Sequence, residues 1–119
     1  MLILKRILLG LLILALLTAL GLFAYAKYTG IWNIFFPSTH HDTKPPLITE
    51  TIQRPALLVF SKTNQFRHRD SIEGGLEHFE ALAKQRGWGF YATENGAVFN
   101  AEQLATFDTV MFLNATGDM

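Results

Sequence analysis

"ALLVFSKTNQFRHRDSIEGG", residues 56–75, decides the architecture of this chain. Its first five residues, Ala56–Phe60, are an unbroken apolar run. A short run of that kind suits a strand buried on both faces, as in a parallel sheet. A polar loop with Arg67, His68 and Arg69 follows. Then Ile72, Leu76, Phe79 and Ala83 recur at i, i+4, i+7 and i+11, the stripe of an amphipathic helix. Asp70 with Glu73 three residues later has the form of a capping box at its start. Gly87 stands where a left-handed residue closes a helix.

The same punctuation continues downstream. Phe90–Thr93 reads as a second strand and Asn95-Gly96 as a turn. Asn100 with Gln103 caps a short helix running through Ala105, and Thr109–Leu113, "TVMFL", reads as a third buried strand. Strands and helices alternating with short connections predict an α/β layered fold with parallel strands and right-handed crossovers. Three strands and two helices bury little core. The expectation is therefore a domain truncated after its third strand and continuing past Met119.

Upstream, Ile7–Ala26 is uncharged, "ILLGLLILALLTALGLFAYA". Twenty helical residues span roughly 30 Å, the depth of a bilayer's hydrocarbon core. Lys5 and Arg6 precede the run, Lys27 follows it, and Tyr25, Tyr28 and Trp32 sit where interfacial aromatics belong. The reading is a membrane anchor over residues 1–36, single-pass, with the amino terminus in the cytoplasm and the domain on the non-cytoplasmic side. Ala24-Tyr25-Ala26 also matches a small-x-small cleavage pattern, so export after signal cleavage near Ala26 is the alternative. Residues 37–55 contain all four prolines and read as an extended tether. Within it His40, His41 and Asp42 are metal-ligand types, but adjacent ligands on a mobile segment organise a site poorly. Residues 56–119 form the domain.

Charge divides with this organisation. Residues 1–55 carry five basic and two acidic side chains, a net of +3, and residues 56–119 carry five and eight, a net of −3. A mildly acidic domain has no electrostatic footprint for nucleic acid. There is no cysteine, which excludes a disulfide, a thiolate zinc site and a cysteine nucleophile in these residues. Ser61 lacks the glycines of a nucleophile elbow. The residues assign neither a cofactor nor a metal.

With strand order 2-1-3, the loops leaving the first and third strands flank a crevice at the carboxyl edge of the sheet, where doubly wound folds bind ligands. Here those loops are "SKTNQFRHRDS" and "NATGD". His68 is a candidate general base, metal ligand or hydrogen-bond donor. Its structural alternative is a histidine bonded to backbone at the helix start. Arg67 offers a planar fork for a carboxylate, a phosphate or sugar hydroxyls, or else an ion pair with Asp70 or Glu73. Asp118 is a candidate for orienting a hydroxyl or a water, and equally ordinary turn chemistry.

The stretches "LLVFSKTNQFRHRDSIEGG" and "YATENGAVFNAEQLATFDTVMFLNATGD" also resemble the ThuA-like, trehalose-utilisation family over residues 56–119, about the first third of a family domain. That resemblance implies a fold similar to class I glutamine amidotransferases, a flavodoxin-like three-layer sandwich. It implies Phe66, Arg67, His68, Thr116, Gly117 and Asp118 as positions near the family's site. His68 and Asp118 are the catalytic candidates; Phe66, Arg67, Thr116 and Gly117 are the substrate-binding ones. A small carbohydrate is the ligand it implies, either acted on or only bound, and a chain with no complete site is the remaining alternative.

Overall fold

A computed structural model describes residues 1–118. The amino-terminal helix α1 runs from Leu2 to Tyr28 and buries none of its residues against the rest of the chain. Its 27 residues rise about 40 Å, and it is long and apolar enough to cross a membrane. Within the apolar run Thr18 Oγ1 donates to the Leu14 carbonyl at 2.9 Å, so that polar group is satisfied inside the helix. A one-turn helix, α2 (Trp32–Phe35), follows. Trp32 packs edge-on against Phe23, stacks on Phe36, and lies under the Lys27 ammonium. These contacts fold the chain back at the end of α1.

The domain comprises β1 (Ala56–Phe60), α3 (Arg69–Arg86), β2 (Gly89–Thr93), a 3₁₀ turn at Gly96–Val98, α4 (Ala101–Leu104) and β3 (Thr109–Phe112). All three strands are parallel, in the order β2-β1-β3. Leu58 pairs with Tyr91 on one side and Val110 on the other, so β1 is the central strand. Every residue of β1 is buried, as its uninterrupted apolar sequence requires.

The two faces are covered differently. Ala56, Leu58 and Phe60 form one core cluster with Val98 and Phe107, and Ile48, Ile52, Tyr91 and Leu104 pack on it. By strand alternation Leu57 and Val59 face the opposite side, where α3 buries Ile72 and Ala83. The stretch expected as an extended tether, 37–55, therefore also has a covering role. Ile48 and Ile52 lie on the sheet, and a side chain on Gly89 would collide with the Gln53 carbonyl and with Ile52. Prolines and sparse large apolar residues suggest an extended chain. They do not reveal that two of its isoleucines pack on the sheet. At the amino edge Arg54 forks onto Asp108, whose Oδ2 accepts from the Ala56 N–H at 2.8 Å. That closes this segment against the start of β1.

Two further expectations are corrected. The third strand is not buried: Thr109, Val110 and Phe112 are exposed, Phe112 at 59%. It pairs with β1 on one side and stands at the edge of the sheet, so among the described residues its outer edge has no neighbour. An apolar sequence alone does not separate a central strand from an edge strand. Asp70 is not the helix cap either. The N-cap residue of α3 is His68, with no side-chain cap hydrogen bond, and Asp70 lies in the first turn, where its charge complements the helix dipole. The other end of α3 is as expected, with Gly87 at φ 67°. Asn100 accepts from the Gln103 N–H at 2.9 Å and caps α4.

The contrast between central and edge strands is measurable. Leu58→Ala should destabilise the full chain in detergent by about 2–5 kcal/mol, whereas Val110→Ala should stay within about 0.5 kcal/mol. Denaturant unfolding of both variants tests this, and equal losses would contradict the strand order.

Candidate functional site at the carboxyl edge

The loops leaving β1 and β3 continue the parallel ladder beyond the strands. Thr63 and Thr116 form a parallel bridge. Asn64 N–H donates to the Thr116 carbonyl at 2.8 Å, and Thr116 N–H donates to the Lys62 carbonyl at 3.1 Å. The Thr116 hydroxyl donates to the Phe66 carbonyl at 2.8 Å, and Asn64 Nδ2 donates to the Asp118 carbonyl. Gly117, at φ 86°, lies so close to Asn64 and Gln65 that a Cβ would stand 3.0 Å from the Gln65 nitrogen. A left-handed conformation and this approach together favour glycine. The two loops expected to converge do so, because β1 lies beside β3.

Within that frame the candidate residues take different positions. Arg67 is half-buried; its Nη2 lies 2.7 Å from Glu94 Oε1 and its Nη1 donates to Thr63 Oγ1 at 3.2 Å. Its acidic partner is thus Glu94, just beyond β2, and not Asp70 or Glu73. His68 is exposed at the start of α3, with its ring edge-on to Phe66 at 4.5 Å between centroids. Its own carbonyl accepts from the Ile72 N–H. Phe66, Arg67, His68, Arg69, Asp70 and Ser71 line an open cavity of about 440 Å³, together with Tyr28 and Thr29 at the end of α1. Gly30 packs on the Arg67 backbone, and Arg69 lies over the Tyr28 ring.

Thr116, Gly117 and Asp118 are not among the residues lining this cavity. They brace the loop that forms it: the Thr116 hydroxyl is committed to the Phe66 backbone, and Gly117 seats against Gln65. Asp118 is exposed. The candidates therefore divide into a cavity-lining set, Phe66–His68, and a supporting set, Thr116–Gly117. Among the described residues no group of three or more histidine or acidic side chains stands in a metal-binding arrangement.

Sequence reasoning passed over one polar cluster at the same edge. Lys62, two residues past the end of β1, is 7% exposed, and Asn64 is also buried. Lys62 Nζ lies 2.5 Å from Asp42 Oδ2 and donates to the His40 carbonyl at 3.0 Å. Asp42 Oδ2 also accepts from the Gly96 N–H at 2.9 Å. The Lys62 hydrogen bond, followed by the Gly96 N–H, holds the Asp42 carboxyl below its ordinary value of 3.8. The available signal was a lysine two residues past a buried strand, where burial demands a partner.

This is an α/β domain with a polar, loop-built carboxyl edge. Residues 56–119 match the family model of ThuA, trehalose utilisation, and the chain belongs to that family. No curated protein and no solved structure matches the chain.

Because the Asp42 carboxyl is held below 3.8, its contribution to stability is complete above that value and is lost as pH falls through its lowered folded-state value. Asp108, lowered by Arg54 and then by the Ala56 N–H, acts in the same direction. Denaturant midpoints taken from neutral pH down to acid should fall less steeply for Asp42→Asn than for the parent chain, with Asp108 supplying part of the remaining slope. Parallel profiles would show that Asp42 is not engaged. Separately, Thr116→Val should cost about 1 kcal/mol through loss of its hydroxyl bond to the Phe66 carbonyl. An unchanged midpoint would mean that the hydroxyl does not brace the loop.

Proposed function

We propose that this chain is a membrane-anchored ThuA-family domain that binds or acts on a small carbohydrate on the non-cytoplasmic side, in a fold similar to class I glutamine amidotransferases. The observation that carries the reading is the family match over residues 56–119 together with the Phe66–Ser71 cavity at the carboxyl edge of β1. Doubly wound domains take ligands at this edge. Phe66 would offer an apolar face to a sugar ring. Arg67, already tied to Glu94 and Thr63, would present its remaining N–H donors to a hydroxyl. His68, exposed beside Phe66, is the residue free to donate or accept a proton at a sugar oxygen. A purely binding role uses the same residues without the proton transfer. Asp118 is the second polar candidate, and its exposure leaves its carboxylate available to orient a hydroxyl or a water.

The anchor reading is supported by the length and apolar surface of α1. Lys5 and Arg6 on one flank against Lys27 on the other favour a cytoplasmic amino terminus. The cavity lies against Tyr28 and Thr29, so an anchored domain would work close to the membrane surface.

Two experiments test this reading. Protease added to intact spheroplasts should digest the domain, and protection until lysis would overturn the orientation. In the full chain in nanodiscs, with trehalose as probe, His68→Ala should weaken binding about tenfold. It should leave Tm within about 2 °C, since no buried bond is lost. Unchanged binding with a drop of about 4–8 °C, the size expected for 1 kcal/mol in a small domain, would make His68 structural.

A further inference from the structure

The segment between the anchor and β1 crosses the carboxyl edge before it descends onto the sheet. Ser38 N–H donates to the Asn64 carbonyl at 2.7 Å. The His40 carbonyl accepts from Lys62 Nζ at 3.0 Å and from Asn64 Nδ2 at 3.2 Å. Asp42 Oδ2 accepts from Lys62 Nζ and from the Gly96 N–H, while Asp42 Oδ1 lies 3.3 Å from His40 Nε2. Lys62 follows β1, and Gly96 lies just beyond β2. The donors from Lys62, Asn64 and Gly96 belong to the domain; Lys62 Nζ and the Gly96 N–H reach acceptors of residues 40–42, and Asn64 Nδ2 is shared between the His40 carbonyl and the Asp118 carbonyl of the domain.

That division has a chemical meaning. A buried ammonium needs a compensating charge. Among the described residues, Asp42 is the carboxylate within ion-pair reach of Lys62, and it comes from outside residues 56–118. The domain thus carries a built-in cradle for one carboxylate oxygen, between Lys62 Nζ and the Gly96 N–H. A second acceptor position, filled by the His40 carbonyl, lies between Lys62 Nζ and Asn64 Nδ2. A carboxylate with a neighbouring hydroxyl oxygen, as in a sugar acid, has the acceptors to occupy both.

We propose that Lys62, Asn64 and the Gly96 N–H form a carboxylate-binding subsite of this domain, which residues 38–42 occupy as a displaceable strap with Asp42 in the ligand's place. The proposal deepens the carbohydrate reading and rests on this sheet edge being the ligand edge. It makes the link to the membrane part of the binding site: a sugar acid enters by lifting the strap, and the strap competes from the same chain. An intramolecular competitor acts at an effective concentration on the order of millimolar, so displacement needs ligand at about that level or above.

Hydrogen exchange on the full chain in nanodiscs tests this, with D-glucuronate as probe. Glucose and sodium chloride at matched ionic strength are the controls. Glucuronate should speed exchange across residues 38–42 while the Gly96 amide stays protected, because one carboxylate replaces another; neither control should do so. Asp42→Asn should loosen 38–42 without ligand and lower the glucuronate concentration needed about tenfold, by weakening the competitor. Lys62→Met should abolish the glucuronate response. Protected β1 amides show that each variant is folded, and the wild-type titration decides the matter if a variant is not. A strap that exchanges no faster with glucuronate than with salt would overturn the proposal, as would an Asp42→Asn chain binding glucuronate no better than the parent. Trehalose binding measured on the same samples separates the two readings. Trehalose bound with no glucuronate response defeats only the subsite, and glucuronate response without trehalose binding defeats only the neutral-sugar assignment.

Discussion

Burial of β1 on both faces and pairing along both of its edges is the constraint from which the rest follows. Ala56–Phe60 offers no polar side chain to solvent, and its backbone is satisfied by β2 on one side and β3 on the other. A central strand of this kind needs two covering layers. α3 supplies one with Ile72 and Ala83; Val98, Phe107, Ile48 and Ile52 supply the other. The central position of β1 also determines the chemistry. The loop that leaves it must run beside the loop that leaves β3, so Thr63 and Asn64 meet Thr116, and the Phe66–Ser71 cavity is braced from below.

The segment joining α1 to β1 contributes to both levels. Near the amino edge it is structural, with Ile52 against Gly89 and Arg54 locked onto Asp108. At the carboxyl edge it is electrostatic, supplying Asp42 to a buried lysine. The mildly basic amino-terminal part and the mildly acidic domain are thus joined by two specific ion pairs, Asp42–Lys62 and Arg54–Asp108, of opposite polarity. The first is the better shielded of the two, since the Lys62 side chain is 9% exposed against 58% for Arg54, and exposed pairs contribute little.

Much of this was legible in the residues. The strands, helix α3 with its Gly87 end and the Asn100 cap follow from local period and turn chemistry, and the strand order from the general pattern of doubly wound folds. Each depends on neighbours close in sequence or on a general rule of α/β winding. Three features depend on distant contacts and were not legible. The exposure of β3 side chains depends on what packs over each face, and "TVMFL" reads the same covered or bare. The partner of Arg67 is Glu94, twenty-seven positions on, brought close only by the β1–β2 pairing. The docking of residues 38–52 depends on Asp42 meeting Lys62 and on two isoleucines within a proline-rich stretch, a pattern too sparse for periodicity to register. Of the candidate site, the loop positions were legible, but the division into cavity-lining Phe66–His68 and bracing Thr116–Gly117 was not. It turns on where one hydroxyl points.

The convergence of the β1 and β3 loops is the claim on which the site depends, and the absence of cysteine makes it directly accessible. Thr63→Cys and Thr116→Cys together place two thiols at a parallel bridge, within the Cα separation of roughly 4.4–6.8 Å that a disulfide accepts. Mild oxidation of the full chain in nanodiscs should cross-link this pair readily. Thr63→Cys with Thr109→Cys should not cross-link, because Thr109 pairs with Leu57 at the far end of the strand, six residues and about 20 Å away. A cross-link in the first pair alone is the expected result. No cross-link in the first pair, or equal cross-linking in both, would mean that β3 does not lie beside β1 in this register and that the carboxyl-edge site is not formed.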